Sequence, residues 1–393
     1  MSRIARNTTA VTAAFAANTT LSFLQVKLLT RWLPQAELGE YFATVALGAL
    51  ISVLAQIGLP MVVLRFTAKY DALEDVERIR RLVRFAWLLV LGLATLLLLA
   101  ERRVLPLVLP RIYDAPPAIA SVMLATGVFI ATALRQVTYA SFDGMRRMSY
   151  PALFENLNIG LITLAIVLLR HELSLVRLLE ISLVSGTVFC IVSAVVLLRL
   201  LAVQASATAD ADRPQAPPRL LPDIAPFWSG AALNGLVGIC MGYADKALIS
   251  LFVPFELVSI FYVAERLTFL MKRLLALPLQ VASPEITRRW ELGRRDELRS
   301  DLGFMLKVQL AVAMLIATTT FVLAESAVLL VSAPAYLPAA DLLRVLAVSV
   351  VLMGLYAPIT TFMRAIERIH LALASDILWI TVYLTAGALL VPR

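Results

Sequence analysis

The stretch Leu33–Lys69, LPQAELGEYFATVALGALISVLAQIGLPMVVLRFTAK, decides how this chain is built. A turn with a proline and an acid (Pro34, Glu37) leads into two dozen uncharged residues, 41–64, and the run closes on cations at Arg65 and Lys69. A helix crosses hydrocarbon with roughly 20 mostly apolar residues, so this is a membrane span with anchored ends. A weaker copy occupies Val253–Arg289, VPFELVSIFYVAERLTFLMKRLLALPLQVASPEITRR, and carries Glu265, Arg266, Lys272 and Arg273 inside its apolar run.

The rest of the composition agrees. Of 393 residues, 60% are hydrophobic and 16% charged, with a mean hydropathy of +0.85. Soluble domains carry about 25% charged residues, so the class is all-α integral membrane. The net charge of +8 is spread over short loops between apolar runs, which excludes a nucleic-acid surface. Cys190 and Cys240 both lie in apolar runs and offer no disulfide framework.

Eleven spans follow, near 10–30, 40–64, 83–101, 117–139, 152–169, 178–200, 226–252, 257–282, 304–324, 339–361 and 370–391. In alternate segments counted from the N-terminus, the connecting regions hold twenty cations against seven on the other side, which reads as a cytoplasmic N-terminus. The polar, proline-rich linker 204–223 divides a six-helix bundle, 1–203, from a five-helix bundle, 224–393. The charged connection Trp290–Leu302 is open to two readings, an interfacial helix or a solvated loop.

The halves repeat in parallel. Glu37-Leu38 matches Glu256-Leu257 at an offset of 219, and Arg147-Met148 matches Arg368-Ile369 at 221, which sets Glu155 on Asp376. Residues 224–393 therefore read as a repeat of 1–170 at about +220. The sixth span should recur near 398–420, so the expectation is a 6 + 5 arrangement without a twelfth helix, native or from a truncated frame.

Glu37, Gly39, Tyr41, Gly58, Leu59, Pro60 and Arg65 resemble the pattern of the polysaccharide flippase family, the O-antigen and exopolysaccharide exporters of the multidrug/oligosaccharidyl-lipid/polysaccharide (MOP) superfamily. Asp245-Lys246, the element Tyr262–Arg266, Pro284–Arg289 and the turn Asp143–Arg147 extend the resemblance over nearly the whole chain. It implies a multi-pass protein of the bacterial inner membrane, in which two bundles enclose a cavity. There it would flip a polyprenyl-diphosphate-linked oligosaccharide outward by alternating access. Implied partners are that lipid-linked oligosaccharide, membrane lipid, a polysaccharide polymerase and glycosyltransferases, with no nucleic acid.

Arg266 and Lys272 fall near mid-bilayer, where a charge costs about 2.5–3.5 kcal/mol and marks a functional candidate. One reading makes Arg266, Lys272, Arg273 and Arg135 cations of a wet cavity that holds a pyrophosphate or acidic sugar. The other pairs Glu265 with Lys246 and Asp245 with Arg266. Asn18, Ser22 and Gln25 share one helix face, suited to sugar hydroxyls or to stitching helices together. Lys27 and Arg31 are expected at outer head groups, Arg65 and Lys69 at inner ones. Glu155 and Asp376 are candidates for ion coupling or plain first-turn acids.

No other deep acid is expected in the first half, which argues against a multidrug-type exporter of small amphipathic molecules. A non-transporting truncated partner of a polysaccharide assembly complex is the third reading. The two histidines, His171 and His370, sit at loop edges without metal-ligand spacing, and no glycine-rich phosphate loop occurs, so neither an enzyme nor a cofactor is expected.

Overall fold

In hydrocarbon, an apolar run satisfies its backbone hydrogen bonds only within itself or in a closed barrel, and here every run is helical. A computed structural model describes residues 3–113, 116–208, 220–366 and 368–390. Residues 209–219 of the expected linker and Arg393 lie outside the described residues.

The described residues form twelve α-helices. These are α1 (Arg3–Trp32), α2 (Gln35–Gln56), α3 (Leu59–Ala72), α4 (Val76–Ile112), α5 (Ile119–Gly144) and α6 (Ser149–Leu168). They continue as α7 (Leu175–Thr208), α8 (Leu220–Phe252), α9 (Phe255–Glu291), α10 (Arg295–Val331), α11 (Ala339–Ala365) and α12 (Ile369–Leu390). Eight are long and apolar enough, by length and composition, to cross a membrane.

The count exceeds eleven because the opening stretch is broken. Ile57 (φ 40°) and Gly58 (φ 67°) turn left-handed between α2 and α3, a region L-residues other than glycine enter at a cost. Two contacts hold the break. The indole Nε1 of Trp228 donates to the Ile57 carbonyl at 2.7 Å. At Gly58, a side-chain carbon would stand 2.2 Å from the Ala231 carbonyl oxygen; only glycine lets α8 approach so closely.

The connection 290–302 is neither of the two expected things. α9 and α10 run to Glu291 and from Arg295, joined by a tight turn at Gly293 (φ 70°). At 1.5 Å per residue, α9 runs about 55 Å and α10 about 40 Å before its kink at Leu323. Both exceed the roughly 30 Å of hydrocarbon, so the pair ends as a solvated helical hairpin. Arg289 ties it to Asp301 at 2.5 Å, above a small apolar cluster of Ile286, Leu298 and Phe362.

The chain divides into two compact units, Met1–Gln25 with Glu40–Leu251, and Val26–Gly39 with Phe252–Arg393. In the first, α5 is central and packs against α3, α4, α6 and α7. In the second, α11 is central and packs against α9, α10 and α12. The starts of α9, α10, α11 and α12 (255, 295, 339, 369) follow those of α2, α4, α5 and α6 (35, 76, 119, 149) by 220, 219, 220 and 220 residues.

The end of α1 belongs to the second unit. There Lys27 Nζ donates to the Leu330 carbonyl at 2.8 Å and the Ala333 amide donates to Thr30 Oγ1 at 3.1 Å. Lys27 thus satisfies a bare carbonyl at the C-terminus of α10 instead of reaching outer head groups.

Candidate functional site

α5 owes its place to composition. One turn after another presents Ala, Ser or Thr to its neighbours, so helices pack closely on all sides and thirteen of its side chains and Gly144 are buried. That crowding buries a charge: Arg135 is 6% exposed. Its Nη2 lies 3.6 Å from Glu155 Oε2 on α6, and the guanidinium sits 5.8 Å from the ring centre of Tyr139, one turn along.

The ion pair is loose, and the Glu155 side chain is 46% exposed. Meanwhile Arg135 Nε and Nη1 are buried with no hydrogen-bond partner, as are the Tyr139 hydroxyl and Asn156 Oδ1. Leaving such donors and acceptors unsatisfied costs about 1–3 kcal/mol apiece, more for a charged one. A cluster that retains several of them is built to receive something polar.

Around it, the Asn156 amide donates to the Ala14 carbonyl of α1 at 3.0 Å, and the Gln25 amide donates to Ile159 O at 3.2 Å. Gln25 therefore stitches α1 to α6, while Asn18, two turns away on the same face, is half-buried. Neither Glu155 nor Asp376 is a first-turn acid: α6 starts at Ser149 and α12 at Ile369, so each lies six or seven residues beyond its helix start, past the reach of the helix dipole. Asp376 is 6% exposed and accepts a hydrogen bond from the Tyr356 hydroxyl of α11.

On α8, Lys246 is 6% exposed. Its ammonium donates to Gly242 O at 3.0 Å and lies 3.4 Å from Asp245 Oδ1. Asp245 thus pairs with its own neighbour. On α9, an unbroken helix keeps Glu265 in register with Lys272, and Arg266 with Arg273, two turns on. Arg266 is half-buried, its guanidinium 5.9 Å from the Phe269 ring centre, and none of Glu265, Lys272 and Arg273 lacks a partner.

One acid was missed. Glu101 is 4% exposed inside α4, which continues to Ile112 instead of ending near 101. Thr126 Oγ1 of α5 donates to its Oε1 at 2.6 Å, and Oε2 is buried without a partner. The triplet Glu101-Arg102-Arg103 imitates a loop, yet Arg102 and Arg103 are exposed while Glu101 continues the buried stripe Val90, Ala94, Leu105, Leu109. That stripe was the available signal. The first half therefore does contain a buried membrane acid.

This architecture is an all-α membrane fold. It is similar to the lipid II flippase MurJ in an inward-closed conformation, with a TM-score of 0.71 and 12% identity over 97% of this chain and 84% of that one. It is also similar to a mutant of the Vibrio cholerae MATE transporter VcmN, with a TM-score of 0.64 and 14% identity over 98% and 93% of the two chains. A MOP-superfamily transporter from Pyrococcus furiosus aligns at a TM-score of 0.60 and 16% identity over 99% and 90%. At such identities the likeness is one of fold. No family model matches the sequence, and no curated protein does.

Proposed function

We propose that the protein moves a lipid-linked oligosaccharide carrying a phosphoryl head group across a bacterial inner membrane, by alternating access of its two helical units. The observation that carries this reading is Arg135, a guanidinium 6% exposed with two nitrogens lacking any partner. A cation kept buried and under-satisfied within a membrane bundle is a functional group by default, and a phosphoryl oxygen is its best complement. The fold it shares with a lipid II flippase supports the same cargo class.

In this reading Arg266, Lys272 and Arg273 extend the anion-binding set, and Asn18 and Gln25 meet sugar hydroxyls. Glu155 and Asp376 couple an ion, while Asp245, Lys246 and Glu265 balance charge. A polysaccharide polymerase and glycosyltransferases are the partners that would supply and consume the cargo.

Two observations favour a second reading. The fold is equally that of MATE transporters, and Glu101 supplies the buried first-half acid that a multidrug-type exporter would use.

The two are separated by measuring surface polysaccharide and drug tolerance together. Arg135→Ala, Arg266→Ala and Lys272→Ala should each abolish polysaccharide export while leaving protein in the membrane at normal levels. Normal export in all three refutes the proposal, and drug sensitivity in place of lost polysaccharide supports the second reading.

A further inference from the structure

Arg65 and Lys69 do more than anchor a helix end. They line an open cleft of about 500 Å³, together with Phe66 of the same helix and Asp223, Pro226 and Phe227 from the first two turns of α8. Clefts of this size hold small-molecule head groups. Arg65 and Lys69 are one turn apart on one face of α3. The guanidinium of Arg65 lies 4.3 Å from the ring centre of Phe227, a cation–π contact. Among the described residues neither cation is in an ion pair. Asp223 shares the cleft, and among the described residues it joins none either. Arg65 is seven residues from the end of α3 at Ala72, roughly 10 Å along the axis, toward the face that the cation distribution reads as cytoplasmic.

Two donors of positive charge, one carboxylate and two aromatic rings make a dipolar site. A diphosphate would satisfy the cations and be repelled by Asp223. A head group with a phosphodiester and a primary ammonium satisfies all three charged side chains at once. We propose that this cleft binds the phosphoethanolamine head group of an inner-leaflet phospholipid. The phosphodiester accepts from Arg65 and Lys69, the ammonium donates to Asp223, and the acyl chains stay in the bilayer beside Phe66. The site is separate from the Arg135 cluster and does not depend on what the protein transports.

The test is native mass spectrometry of the full chain, released from nanodiscs of equal parts phosphatidylethanolamine, phosphatidylglycerol and phosphatidylcholine. Wild type should retain phosphatidylethanolamine preferentially. Arg65→Gln with Lys69→Gln should lower that retention about tenfold or more, the usual consequence of losing charge-assisted hydrogen bonds. Asp223→Asn should shift the preference to phosphatidylglycerol, because the ammonium loses its counter-charge while the phosphate keeps its donors. Arg81→Gln, on α4 outside the cleft, should leave retention unchanged.

Equal retention by wild type and the double variant overturns the site. An unchanged lipid ratio in Asp223→Asn overturns the head-group assignment, as does displacement of the lipid by an equimolar polyprenyl diphosphate. If the double variant does not insert, Asp223→Asn and Lys69→Gln, singly, decide. Arg135→Ala, expected to stop transport, should keep the lipid, so failure of one proposal is distinguishable from failure of the other.

Discussion

Replacing Gly58 by alanine tests the feature on which the first unit turns. The new methyl carbon would sit 2.2 Å from Ala231 O, 2.3 Å from Ala231 C and 2.5 Å from Ala232 N. All three are backbone atoms of α8, so no rotamer change relieves the clash and the helix itself must withdraw. Three costs follow. Alanine at φ 67° costs about 1–2 kcal/mol. Forced overpacking of a tight crossing costs about 1–3 kcal/mol. Withdrawal also stretches the 2.7 Å bond from Trp228 to the Ile57 carbonyl, worth about 0.5–1.5 kcal/mol. These overlap, since movement of α8 trades the second against the third, and a net loss of about 2–4 kcal/mol is expected.

The matched control is Gly230→Ala on α8, where nothing lies within 4 Å of the added carbon. It should be neutral, or gain up to about 1 kcal/mol from helix propensity. Both variants would be unfolded by SDS titration in mixed micelles, followed by circular dichroism. A Gly58→Ala protein as stable as Gly230→Ala would refute the close crossing, and with it the account of why the second span breaks.

Three other expectations are more local. Thr126→Val removes the donor to Glu101 without changing shape and leaves both carboxyl oxygens unsatisfied, so it should cost about 1–3 kcal/mol. Thr95→Val on the exposed side of α4, whose hydroxyl bonds only to Leu91 O one turn back, should stay within about 0.5 kcal/mol; equal effects in the same titration would contradict the buried Glu101. Arg289→Ala removes ion pairs to Asp301 and Glu297 whose members are 30–49% exposed. It should cost at most about 1 kcal/mol, and the difference should vanish in high salt; a larger, salt-independent loss would mean that the hairpin is not solvated. For Lys27→Met, loss of the bond to the Leu330 carbonyl should raise protease susceptibility at the α10 end, measured by limited proteolysis in detergent. An unchanged cleavage pattern would count against that cap.

Much of the architecture could be read in one dimension. Whether a segment enters a bilayer depends on the transfer free energies of its own residues, nearly summed along the chain. Apolar length therefore located the spans, and charge placement suggested which loops share a face. The parallel repeat was legible for a related reason: the acid-leucine and arginine pairs that mark it sit at helix starts, where polar residues punctuate apolar runs.

The errors have one source. Glu101, flanked by Arg102 and Arg103, looks like a loop because three charges in a row raise the transfer cost of any segment. Only the packing of α4 on α5, with Thr126 at hand, turns one of the three inward and the other two out. Likewise, 290–302 carries the composition of a loop, yet helix propensity and the apolar contacts of Ile286 and Leu298 hold it as a hairpin.

The Leu33–Lys69 stretch divides the same way. By itself the sequence determined that it crosses a membrane, that its ends are anchored and that it has a charged copy about 220 residues on, because those properties belong to the residues one at a time. Only the tertiary structure decided that it is two helices and not one. Positive φ at Ile57 and Gly58 is unfavourable locally, and it persists because the backbone of α8 fills the space a side chain would need and Trp228 takes up the freed carbonyl. The same helix, α8, also walls the cleft that Arg65 and Lys69 line.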